Sequence, residues 1–171
     1  MERIFRHSLV LILIVLSHAA ALRETEMKQP YLLFLGDETD PQNTKTASGI
    51  AYWRPEICVG QFRTEGGTVD LGLKDLGLEE ATEAGAKTLV LGIAPFGGQI
   101  ADTWVPYILK ALENGLDIAA GLHARLNDHA EISARARALG RQLFDVRQPT
   151  EDFAVGSGKK RSGNRLLTVG T

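Results

Sequence analysis

The segment Ala86–Gly98, AKTLVLGIAPFGG, constrains the fold more than any other stretch. Its run Thr88–Leu91 is apolar without polar alternation, lies between Lys87 and Gly92, and breaks into a loop holding Pro95, Gly97 and Gly98. A strand that is apolar on both sides must be covered on both sides, which is the situation of a central strand in a parallel sheet. Open α/β sheets bind ligands beyond the carboxyl ends of their strands. Glycines just past such a strand can therefore let bare backbone N–H groups approach a ligand. A glycine pair such as Gly97-Gly98 is more often a plain tight turn into a helix than a ligand cradle, and its place after a central strand narrows that gap without reversing it.

The rest of the chain repeats the strand and helix alternation. Pro30–Gly36 is a first strand, broken by Gly36-Asp37. A short helix carrying Ala47, Ile50 and Ala51 follows, capped by Asp40 or Thr44 and stopped at Arg54-Pro55. Ile57–Phe62 is a second strand, and Thr68–Leu71 a shorter extended piece after the turn Gly66-Gly67. Leu78–Ala86 is a modest helix leading into the central strand. The clearest helix spans Asp102–Asn114, with Asp102 as N-cap, Trp104, Val105, Ile108, Leu109 and Leu112 at helical spacing, and Asn114-Gly115 as its stop. Asp117–Leu122 is the next strand, Asp128 caps a helix that runs through Leu139 to Gly140, and Gln142–Val146 is a further strand. The pattern predicts an α/β domain, a mostly parallel sheet with helices on both faces, since crossovers containing a helix join parallel strands.

Both ends differ from this body. Met1–Ala21 has Arg3 and Arg6, an apolar run Leu9–Leu16 and a small-residue end, the pattern of a secretory signal. The competing reading is translation from Met27 behind an extra N-terminal extension. Either way the segment is expected to stay off the domain. After Arg147 a basic, glycine-rich stretch leads to another apolar strand, Leu166–Val169, which delivers Gly170-Thr171 in the way a phosphate-binding loop begins. The expected organisation is therefore residues 1–26 as extension, 27–147 as the α/β domain, 148–164 as linker, and 165–171 as the first strand of a P-loop domain cut short.

Composition excludes some functions. Of 171 residues, 44% are hydrophobic, enough for one sizeable core, and the net charge of −2 argues against a nucleic-acid surface. Only the cluster Lys159, Lys160, Arg161 and Arg165 runs against that. The single cysteine, Cys58, excludes an internal disulfide and a multi-cysteine metal site, and its apolar strand context reads as a packed thiol. No metal is expected.

The candidate site residues all follow predicted strands. Asp37 and Asp40, with Thr44, Lys45 and Thr46, could meet a hydroxyl, an amine or an anion, or form only a solvated loop and helix cap. The strict G-x-G-x-x-G fingerprint is absent. His123, past Gly121-Leu122, could exchange a proton near neutral pH, with Arg125 beside it for a carboxylate, or be a loop histidine without function. Lys159-Lys160-Arg161, flanked by Gly158 and Gly163, suits an anion such as a phosphate, although most basic runs are flexible linkers.

Tyr31–Asp37, Lys45–Gly49, Arg54-Pro55-Glu56 with Cys58–Gln61, Gly121-Leu122-His123, and Gly156–Gly163 through Leu166–Thr171 resemble the DgcN-like D-glutamate N-acetyltransferase family. The resemblance runs from Met27 to Thr171, and its most specific part is the junction at Gly156–Thr171. It implies a Rossmann-like N-terminal domain followed by a P-loop domain, with acetyl transfer from acetyl-coenzyme A to the amine of D-glutamate in D-amino-acid catabolism. It further implies that this chain is the N-terminal part, inactive alone, cytoplasmic, and starting near Met27. On that view Asp37, Gly97, Gly98 and His123 serve the substrate, and Lys159, Lys160, Arg161, Gly170 and Thr171 the cofactor. A small molecule is the expected partner, with a homo-oligomer possible and neither nucleic acid nor a stable membrane contact. The alternative is a stand-alone Rossmann-like binding module, epimerase/dehydratase-like or exported.

Overall fold

A computed structural model of the chain describes residues 26–95, 97–147, 159 and 162–163. Five strands, β1 (Tyr31–Gly36), β2 (Cys58–Arg63), β3 (Thr88–Leu91), β4 (Asp117–Ala120) and β5 (Leu143–Asp145), form one sheet in the order β2-β1-β3-β4-β5. Every pairing is parallel, as the crossover pattern predicts. Four helices connect them: α1 (Lys45–Trp53), α2 (Leu78–Glu83), α3 (Val105–Glu113) and α4 (Ala130–Leu139). Among the described residues no helix is long and apolar enough to cross a membrane.

Alternation along the strands divides the core. Leu32, Phe34, Leu89, Leu91, Ile118 and Ala120 point to one face, where Leu78 and Ala81 of α2, Ile108 and Leu112 of α3 and Ile132 and Ala136 of α4 cover them. Tyr31, Leu33, Leu35, Val90 and Ala119 point to the other, beneath Ala47, Ile50 and Ala51 of α1. Burying one such Leu or Ile side chain stabilises the fold by about 1.5–3 kcal/mol, so the doubly buried β1, β3 and β4 anchor the domain. Phe34 adds an aromatic cluster, with the Trp104 ring edge-on at 5.9 Å and the Phe62 ring tilted at 5.6 Å.

Several expected boundaries move. Thr68–Leu71 does not join the sheet, because the amides of Thr68 and Val69 both donate to the Glu38 carbonyl instead of to a strand. Beyond this loop, Gln61 makes a single bridge with Asp75 on the outer side of β2. The helix predicted over Leu78–Ala86 stops at Glu83, where Gly85, at φ +93°, turns the chain and the Ala86 amide reaches back to Ala81. Asp102 is not an N-cap. It opens a 3-10 turn, Asp102–Trp104, and α3 begins at Val105 with Pro106 in its first turn, where a missing N–H costs nothing. Nor does Asp128 cap α4. The cap is His129, whose Nδ1 accepts from the Ile132 amide at 3.4 Å, and Gly140 closes the helix at φ +63° as expected. At α1 Asp40 rather than Thr44 acts as a cap: its Oδ1 accepts from the Gln42 amide and starts the 3-10 turn Pro41–Thr44 that leads into the helix. Strands β2, β4 and β5 begin or end one or two residues away from the expected bounds.

Cys58 is half-buried, its Sγ 3.6 Å from the Arg54 carbonyl. Burial, reinforced by the nearby Glu56 charge, pushes its thiol pKa up, away from the activated range of reactive cysteines. The expected N-terminal extension up to residue 25, most of the expected basic linker and the expected strand Leu166–Val169 lie outside the described residues.

Candidate functional site

Parallel strands all end on one side, and the loops after β3 and β4 meet there. The exit of β3 is tied to α1: the Gly92 carbonyl accepts from the Ala47 amide at 3.2 Å, and the Asn43 carbonyl accepts from the Ala94 amide at 2.7 Å. Gly92 allows this approach, because a Cβ there would overlap Ala47. The loop then turns on a Gly98 amide to Pro95 carbonyl bond of 2.8 Å, with Gly97 and Gly98 both at positive φ. The Gly98 carbonyl accepts from the amides of both His123 and Ala124 at 3.0 Å. A Cβ on Gly98 would overlap the His123 ring, so only glycine lets that imidazole lie against the β3 loop. Of the predicted substrate residues, the structure thus joins Gly98 directly to His123, with Gly97 adjacent and exposed.

The far side of the β4 loop is held by β5. Asp145, its side chain only 8% exposed, accepts from the Leu126 amide at 2.7 Å and the Asn127 amide at 3.3 Å, and from Asn127 Nδ2 at 2.7 Å. Leu126 is fully buried beneath the loop. Between these two attachments His123 and Arg125 stay exposed. With Gln99, Ile100, Ala124, Asp128 and His129 they line a cleft of about 320 Å³. Arg125 Nε lies 4.0 Å from the carboxylates of both Asp128 and Asp145. A guanidinium, two imidazoles and the start of α4 around one cleft suit a carboxylate-bearing small molecule.

Asp37 sits elsewhere on the same edge. It is exposed at the end of β1, beside Gly67, whose close approach to Gly36 and Asp37 only a glycine permits. The strand β3 separates it from β4 by two strand spacings, about 10 Å. Next to it is a second polar cluster. Gln61, 0% exposed, donates from Nε2 to Asp70 at 2.9 Å and Asp75 at 3.0 Å, and accepts from the Leu71 amide at 2.8 Å. Arg63 forks onto both oxygens of Asp75. The Gly72 amide, then Gln61, hold the Asp70 carboxyl below its usual range, while Arg63 does the same for Asp75. Among the described residues no group of three histidine, cysteine or acidic side chains could hold a metal ion.

Of the predicted cofactor residues only Lys159 is described, and it is exposed. Lys160, Arg161, Gly170 and Thr171 lie outside the described residues. Asp145, Asn127 and His129 were not singled out from sequence. An acidic residue near the carboxyl end of a predicted strand was the available signal for Asp145.

Known proteins match this architecture. A family described as a domain of unknown function, DUF1611_N, with a Rossmann-like fold, matches residues 62–149. Two curated relatives, each named D-glutamate N-acetyltransferase, come from Pseudoalteromonas and Tritonibacter scottomollicae. They are 46% identical over 146 residues and 48% over 145, each match covering 85% of this chain. The chain spans 44% of the length of either relative. The crystal structure of a DUF1611 family protein from Anabaena variabilis superposes with a TM-score of 0.61 at 26% identity, covering 77% of this chain and 40% of that one.

Proposed function

We propose, for a chain that belongs to the DUF1611_N family of Rossmann-like domains, that it is the amino-acid-binding part of an N-acetyltransferase acting on D-glutamate. The observation that carries this reading is the β4 loop, held from both sides and presenting His123 and Arg125 into one cleft. Its similarity to two D-glutamate N-acetyltransferases across the whole Rossmann unit favours this over an epimerase-like or stand-alone module.

In this reading Gly98 shapes the wall against which His123 lies, and Arg125 supplies the positive charge for a carboxylate. Exposed backbone at Gly97 adds a possible donor, and Asp37 addresses the amine of a ligand that reaches across β3. In N-acetylation the lone pair of an unprotonated amine forms the C–N bond at the carbonyl of an acetyl thioester, the C–S bond breaks, the sulfur leaves as a thiol, and the nitrogen gives up one proton. His123, at the cleft mouth, is the side chain suited to take that proton. The acetyl donor is taken to be acetyl-coenzyme A, with Lys159, Lys160, Arg161, Gly170 and Thr171 on its side. Use of that intracellular thioester makes the cytoplasm the site of action. The division at residues 147 and 164 into Rossmann-like domain, linker and P-loop strand belongs to the same proposal, as does any homo-oligomer.

The test is D-glutamate binding and turnover by the full-length protein carrying His123→Ala. Affinity is expected to fall more than tenfold, equivalent to about 1.4 kcal/mol, as for loss of a hydrogen bond to a charged group. Unchanged affinity and turnover would make His123 a surface histidine without a role.

A further inference from the structure

The mode of attachment of the β4 loop says more than which residues line the cleft. Asp145 is a mostly buried carboxylate whose near neighbours are all on one loop: two amides, the Asn127 side chain and, at 4.0 Å, Arg125 Nε. A buried anion is expensive unless it is satisfied, and this one receives three hydrogen bonds from Leu126 and Asn127. The loop is thereby fixed to the end of β5, and α4 continues from it. Among the described residues Arg125 meets carboxylates only through Nε, toward Asp128 and Asp145. A guanidinium offers five N–H donors, and the four on its outer nitrogens form the fork that grips a carboxylate with two parallel bonds.

We infer that Arg125 is the specificity residue of the cleft, receiving a terminal carboxylate of a short dicarboxylic ligand, and that Asp145 is the positioning residue that holds Arg125 ready. This rests on the reading of the cleft as an amino-acid site and names what that site selects: a ligand ending in a carboxylate over one ending in an amide. Asp128 at the rim, carrying a negative charge beside the same Nε, keeps the guanidinium at the cleft without occupying its outer fork. At 4.0 Å neither carboxylate hydrogen-bonds the guanidinium; the two charges bias it toward the cleft and the loop fixed by Asp145 sets where its backbone starts, so the effect falls on binding.

Two measurements separate this inference from the acetyl-transfer reading. The first uses glutarate and its monoamide as probes, titrated into the full-length protein while the imidazole NMR signals of His123 and His129 are followed. Glutarate is expected to bind at least tenfold more tightly than the monoamide, and Arg125→Gln to abolish that preference. The second is turnover of D-glutamate against D-glutamine. Arg125→Gln is expected to raise KM for D-glutamate at least tenfold with kcat within threefold, and to leave KM for D-glutamine nearly unchanged. Asp145→Asn should raise the same KM about three- to tenfold, since an amide has one acceptor oxygen and cannot accept from the Leu126 amide on one side and from the two Asn127 donors on the other. Asn127→Ser, which keeps the buried carboxylate, should give a smaller shift in the same direction and serves if Asp145→Asn does not fold. A protein that prefers glutarate through Arg125 but does not acetylate D-glutamate would sink the acetyl-transfer reading and leave this inference standing. Wild-type acetylation of D-glutamate with an Arg125→Gln preference unchanged would overturn the inference alone.

Discussion

The loops beside β4 and β2 are each organised by one buried polar side chain, Asp145 in the first and Gln61 in the second, yet they differ in how closely their arginine is held. Around Gln61 each charge has a partner: Arg63 forks onto Asp75, and Gln61 reaches both Asp70 and Asp75. Around Asp145 the hydrogen bonds satisfy the buried carboxylate and the backbone, and leave His123 and Arg125 facing the cleft. Both loops contain aspartates and an arginine, so composition does not distinguish them. A network closed on itself ties up its own arginine, whereas a network that fixes a loop while leaving the His123 ring and the outer nitrogens of Arg125 facing a cleft offers groups to a ligand.

The sharpest way to break that comparison is Gln61→Leu. It strands the half-buried Leu71 amide and removes the amide group shared by two carboxylates, so stability in urea is expected to fall by about 2 kcal/mol. Glutarate affinity should stay within twofold of the parent. A large loss of affinity at unchanged stability would mean that the β2 loop is part of the site.

A smaller effect is expected on the other side. Gly98→Ala places a methyl group on the His123 ring at a backbone φ of +61°, so about 2 kcal/mol of stability is expected to be lost, with the His123 NMR signals displaced and glutarate binding weakened. Unmoved His123 signals would show that the two loops are not coupled through this contact.

The smallest effect concerns pH. Asp70 and Asp75 have folded-state pKa values below those of free aspartate, so the stability they contribute is present above about pH 4 and is lost as pH falls through the lower folded values. Both carboxylates are exposed, and solvent screening keeps this contribution modest. Urea midpoints measured from pH 5 down to pH 3 should decline, and the decline should flatten in Asp75→Asn. An equal slope in that variant would place the acid sensitivity elsewhere.

Much of this was readable from local pattern. Uninterrupted apolar runs at Tyr31–Leu35 and Thr88–Leu91 can be stable only as strands covered on both faces, and strand-helix-strand spacing then requires a parallel sheet. Because parallel strands share one carboxyl edge, the placement of Asp37, Gly98 and His123 along that edge also followed from the order of elements. What only the tertiary structure decided is which of these edge residues meet. Gly98 and His123 are 25 positions apart, a distance in chain that carries no local signal, and they touch because β3 and β4 are neighbours in the sheet. Asp145 finds Asn127 across 18 positions because β5 pairs beside β4, while Asp37 is turned toward Gly67 by the pairing of β1 with β2. Helix starts depended on the same kind of information: Asp102 and Asp128 have the chemistry of caps, but the 3-10 turns preceding α3 and α4 shift the first helical residue past them. Backbone preference and hydrophobic period act over a few residues and determine the elements. Side-chain hydrogen bonds between loops act through strand order and register, which no short stretch of the chain contains.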